Sequence, residues 1–118
     1  MSTTTKPTVR IDDIYDAMRE AFRAALTAGR NWHAVTVGTD GVPYAREEVS
    51  RCMSESEYYR KGSPHPVTVW SMNGDSSVSA EDIDAETDAF EPADQFEGTG
   101  GVGELVRRLE SAGFDVEM

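Results

Sequence analysis

Residues 11–46 read IDDIYDAMREAFRAALTAGRNWHAVTVGTDGVPYAR, and two periodicities meet inside them. Apolar side chains recur at Ile11, Ile14, Tyr15, Met18, Phe22, Ala25 and Leu26, in steps of three and four that draw one stripe along a helix. The spacing predicts a helix over residues 12–28, with Asp12 or Asp13 capping its start and Asp16 and Glu20 favouring its positive end. Gly29 supplies the left-handed residue that stops it. From Trp32 to Val37 the pattern changes to β-branched and aromatic residues, the composition of a strand. Gly38-Thr39-Asp40-Gly41 then contains an Asp-Gly pair and predicts a hairpin into a second strand at residues 42–46. Pro43 puts that second strand at a sheet edge or at its own first residue.

Further along, Val49, Cys52, Met53, Ser56 and Tyr59 fit a helical stripe, although the same run could extend the edge strand. Residues 62–66, Gly-Ser-Pro-His-Pro, are expected to form a stiff loop, and residues 66–72 are read as the second convincing strand before a turn at Asn73-Gly74-Asp75. Ser79-Ala80-Glu81-Asp82 has the composition of a helix start. Ala80, Ile83, Thr87 and Phe90 continue it as a thin stripe that Pro92 ends. The alternation from Asp82 to Ala89 is the competing, strand-like pattern. Residues 92–103 read as a mobile loop with Phe96 as an anchor. A helix over residues 104–112, a stop at Gly113 and a short strand at residues 114–116 complete the chain.

These pieces sum to one α+β domain over residues 1–118. A small, mainly antiparallel sheet is packed by an N-terminal and a C-terminal helix. Residues 1–10 are expected to be a mobile leader, and residues 75–103 an acidic insertion and loop. The composition, 38% hydrophobic and 28% charged, suffices for one modest core. The single cysteine, Cys52, has no partner for an internal disulfide and fits a reducing compartment, so a cytoplasmic location is expected. No apolar run reaches the length of a membrane span, and the first residues lack the apolar segment of a secretory signal.

The charge is distributed unevenly. The first 61 residues balance nine acids with nine bases, whereas residues 62–106 hold ten acids and no lysine or arginine. The formal net charge of −11 and the pI near 4.4 argue against nucleic acid or anionic lipid as a direct ligand and favour a basic partner, a cation or life in high salt. Asp75, Glu81, Asp82, Asp84, Glu86, Asp88, Glu91, Asp94 and Glu97 are the candidate partner-binding residues. In a helix over residues 80–90, five carboxylates would occupy ~16 Å, about one per 3.3 Å, near the ~3.4 Å spacing of phosphates along one DNA strand.

The other motifs carry less. Gly98-Thr99-Gly100-Gly101-Val102-Gly103 matches a dinucleotide-binding string, but no apolar strand leads into it and Glu97 and Glu104 flank it. Loops begun at Asp75 or at Asp82 fail the ligand order of a calcium hand. His33, His65 and Cys52 have neither zinc spacing nor a nucleophile–base pattern. Tyr58-Tyr59-Arg60-Lys61 could stack bases, but it is short and sits in an acidic chain. No cofactor, metal or enzymatic activity is therefore expected. In charge layout and size, and not in any motif, the chain resembles small acidic inhibitors that mimic nucleic acid, among them the anti-restriction and anti-CRISPR proteins of phages. That likeness implies a basic, nucleic-acid-binding groove as the partner. The alternative expectation is a halophilic or accessory globular domain whose acids are simply solvated.

Overall fold

The computed structural model describes residues 6–48 and 66–118. The expectations for residues 49–65, including Cys52, His65 and the Tyr58–Lys61 run, lie outside them. The described residues form a small α+β domain with a two-stranded and a three-stranded sheet flanked by N- and C-terminal helices.

The chain enters through β1 (Thr8–Arg10) and passes without a loop into α1 (Ile11–Ala28). This corrects the expectation of a leader for residues 8–10. Val9 is fully buried, and the strand pairs in parallel with the C-terminal strand β5 (Asp115–Glu117). Because strand and helix are contiguous, the N-cap position falls on Arg10, which makes no side-chain cap bond. Asp12 and Asp13 sit in the first turn, where they interact with the helix dipole and not as caps. α1 ends as its sequence implies: Gly29 takes a left-handed conformation, and its N–H donates to the Ala25 carbonyl at 3.0 Å.

The buried face of α1 is Ile11, Ile14, Ala17, Met18, Ala21, Ala25 and Leu26. Tyr15 and Phe22 lie at its margin, half-buried. The stripe thus runs through two small residues, Ala17 and Ala21, that a list of large apolar positions passes over. They let α1 lie close to the sheet.

That sheet has the order β3-β2-β4, with β2 (Trp32–Val37) antiparallel to β3 (Pro43–Glu48) on one side and to β4 (Val67–Asn73) on the other. Pro43 opens an edge strand, the position its missing N–H requires. The connecting turn closes with Gly41 N–H to the Gly38 carbonyl, Gly38 N–H to the Val42 carbonyl, and Val42 N–H to Asp40 Oδ1. An irregularity between Val35 and Thr36 shifts the register against β4. The short final strand expected at residues 114–116 forms within one residue of that range, as β5, and pairs with β1 outside this sheet.

Beyond β4, α2 (Ile83–Ala89) is shorter than its sequence suggests. The Ser79 hydroxyl donates to Asp82 Oδ2 and the Asp82 N–H to the Ser79 carbonyl, both at 2.9 Å. This closes a turn over residues 79–82 and delays the helix by one turn. Residues 92–103 are not a loop. Pro92–Thr99 forms a 3-10 helix, and α3 (Gly101–Ser111) begins three residues before Glu104, after Gly100 reverses the chain at φ 101°. Burial overrides the local glycine- and acid-rich composition. Phe96 is 3% exposed and packs into the same core as Phe90, Leu105, Leu109 and Phe114. Thr87 and Pro92 are buried as well. The acidic segment is therefore part of the domain's packed layer and is not an insertion attached to it.

Candidate functional site

The nine acidic candidates sit on three consecutive pieces of chain: the turn after β4, α2 and the 3-10 helix. Asp75 is the most constrained. Gly74 N–H donates to the Asn31 carbonyl at 2.7 Å and Asp75 N–H to the Ala25 carbonyl at 3.1 Å, which ties the end of β4 to the end of α1. The Asp75 carboxylate accepts from the Ser77 hydroxyl at 2.5 Å and from the Ser77 amide at 2.9 Å. These two bonds, the hydroxyl first, hold its pKa below the ordinary carboxylate value.

Glu81, Asp82, Asp84, Glu86, Asp88, Glu91, Asp94 and Glu97 are all exposed. Among the described residues, the one ion pair that any of the nine makes is between Asp84 and Arg23 of α1, with both side chains largely in solvent. The acids do not fall on a single line. At roughly 100° per residue, Asp84 and Asp88 share one side of α2 and Glu86 lies on another. Glu81 and Asp82 precede the helix, and Glu97 is carried near the end of the 3-10 helix.

Glu86, Glu91 and Asp94 are brought together. With Phe22, Ala89, Phe90 and Gln95 they line an open cleft of about 310 Å³ where α1, α2 and the 3-10 helix meet. The rings of Phe22 and Phe90 are stacked, with centroids 4.3 Å apart and planes 15° from parallel. Trp70 packs against Phe90 at 5.6 Å, and its indole N–H donates to Gln95 Oε1 at 3.3 Å. Arg19 closes the back of the arrangement by donating to the Phe90 carbonyl at 3.2 Å. The result is a cleft rimmed by carboxylates, with half-buried Phe22 and the buried Phe90 against which it stacks at its base.

Sequence reasoning placed Phe22 and Phe90 on the apolar stripes of two separate helices and missed the cleft. The available signal was the run Phe90-Glu91-Pro92-Ala93-Asp94, which places an aromatic ring between acids just where proline turns the chain.

The remaining candidates are not gathered into a site. His33 is 1% exposed, and its Nε2–H donates to the Arg30 carbonyl at 2.9 Å. Among the described residues, no three His, Cys, Asp or Glu side chains form a metal-holding group. In the glycine string, Gly100 and Gly101 both have positive φ, and Glu104 packs over Gly100. No helix of the described residues is long and apolar enough to cross a membrane. Compared with protein-family models, curated proteins and solved structures, the chain gives no match in any of the three.

Proposed function

We propose that the chain is a small, non-enzymatic inhibitor or binding protein of the cytoplasm that uses its acidic segment, residues 75–97, to occupy a basic groove of a nucleic-acid-handling complex. The partner surface is a protein lined with lysine and arginine, of the sort met by anti-restriction and anti-CRISPR inhibitors. The observation that supports this reading is the exposure of eight carboxylates on one continuous stretch of chain with one arginine of the protein's own paired to them. On α2 alone, Asp84, Glu86 and Asp88 share ~10 Å of helix, about one charge per 3.5 Å, against ~3.4 Å per phosphate on a DNA strand. The acids cover more than one side of the helix, so the contact is a broad acidic face that fits the walls of a groove.

Such a face accelerates encounter with a positive channel, and the acceleration falls with ionic strength. The test is retention of proteins from a host lysate, at low and at high salt, on the parent chain and on a variant with Glu81→Gln, Asp82→Asn, Asp84→Asn, Glu86→Gln and Asp88→Asn. The parent is expected to retain a nucleic-acid-binding protein at low salt that added DNA displaces. Undiminished retention of that protein by the five-fold variant overturns the proposal.

A further inference from the structure

The cleft between α1, α2 and the 3-10 helix combines two features that suit one kind of side chain. Its floor is the stacked Phe22–Phe90 pair, and its rim carries Glu86, Glu91 and Asp94. None of these three acids has a cationic partner among the described residues, since Arg23 is paired with Asp84 and Arg19 with the Phe90 carbonyl.

We infer that this cleft seats a single arginine side chain of the basic partner, with its aliphatic stem on the aromatic floor and its guanidinium among the rim carboxylates. The inference rests on the acidic-face reading above and names the point at which that face would be anchored. Size agrees with it: about 310 Å³ accommodates one long side chain and not a folded segment. The chemistry favours arginine over lysine. A guanidinium is planar, stacks on aromatic rings and bonds carboxylates through two N–H groups at once, whereas an ammonium is a compact and more strongly hydrated charge. A site of this kind converts diffuse attraction into register, because one residue must enter one place.

The test uses a blocked Gly-Arg-Gly tripeptide titrated into the full chain at low ionic strength and followed by NMR, with the lysine and the citrulline tripeptides alongside. Citrulline keeps the shape of arginine and removes the charge. Saturable shifts confined to Phe22, Ala89, Phe90 and Gln95 are expected with arginine, and binding about tenfold weaker with citrulline.

Two double variants, each removing two charges, separate the seat from the general field. Glu91→Gln with Asp94→Asn is expected to weaken the arginine peptide about fivefold, and Glu81→Gln with Asp88→Asn less than about twofold. Phe22→Leu, which keeps the floor apolar, is expected to weaken it about threefold. Should that variant fold poorly, the exposed Glu91 and Asp94 pair decides alone. Equal effects of the two double variants, or equal binding of citrulline, would overturn the seat while leaving the lysate test of the acidic face untouched. Lysine binding as tightly as arginine would overturn the assignment to arginine.

Discussion

Gly74 shows how tightly a single residue can be specified. A Cβ placed there would stand 2.1 Å from the Arg30 nitrogen and 2.3 Å from the Arg30 carbonyl oxygen. Both are backbone atoms, so no side chain can swing aside. Gly74→Ala is expected to cost about 3 kcal/mol or more in chemical denaturation, because it separates the end of β4 from the end of α1. Next to it, Asp75 is half-buried, and its carboxylate accepts two bonds from Ser77 that lower its pKa. A carboxylate whose folded pKa is depressed contributes stability that is fully present above its unfolded pKa. That contribution is lost as pH falls through the lower, folded value. Ser77→Ala should therefore raise the Asp75 pKa toward the ordinary carboxylate value in a carbon-detected NMR titration, and an unmoved titration would mean that the two bonds do not govern it. That the strand ends at Asn73-Gly74 was legible in the sequence, although the turn itself falls on Ser76 and Ser77. The reason position 74 must be glycine was not legible, since Arg30 approaches only once two distant segments have docked.

At the scale of elements, legibility followed how far each pattern could be read locally. α1, β2, β3 and β4 were anticipated within a few residues because each carries its own periodicity or turn chemistry over at least six positions. β1 was missed, and β5 was anticipated within one residue but without its partner, since three-residue strands have no period and exist only by pairing with each other. The 3-10 helix was missed for a related reason. Its proline, glycines and acids describe a loop, and it is ordered by Phe96, whose burial depends on Leu105 and Leu109 arriving from α3. Its stability is thus borrowed from the core, and this can be measured. Phe96→Ala is expected to destabilise the protein by about 3–5 kcal/mol, with amide exchange accelerating first across Pro92–Thr99 and the adjoining start of α3. Asp94→Asn, exposed on the same element, should stay within ~0.5 kcal/mol of the parent. Acidic display and folding are therefore separable on this segment: its apolar side chains hold it in place, and its charges remain free to meet a partner. The candidate acids could be listed from sequence for that reason, whereas the cleft among three of them needed α1 to bring Phe22 against Phe90.

For the whole molecule, the question is what eleven net negative charges do to a domain of 118 residues. Mutual repulsion opposes compaction, and salt relieves it, with a Debye length of ~10 Å at 0.1 M and ~3 Å at 1 M. Neutralising Glu81, Asp82, Asp84, Glu86 and Asp88 removes repulsion and one exposed pair, Asp84 with Arg23, itself worth ~0–1 kcal/mol. The two effects are of similar size and opposite sign. The five-fold variant should therefore melt within about 4 °C of the parent at low salt, near 1 kcal/mol, with the gap closing as salt is added. Its retention of a basic partner should nevertheless be lost at every salt concentration. A surface acidic only for life in brine would behave differently. Its stability would climb steeply in molar salt and neutralisation would shift the melting temperature strongly, while partner retention, absent in the parent, would not change. The even balance of acids and bases in the first 61 residues favours the former outcome, because adaptation to salt acts on the whole exterior, whereas here the excess is confined to one stretch. Melting curves of both proteins at 0.05 M and 1 M sodium chloride, read beside the lysate retention, distinguish a charge that serves recognition from one that serves solvation.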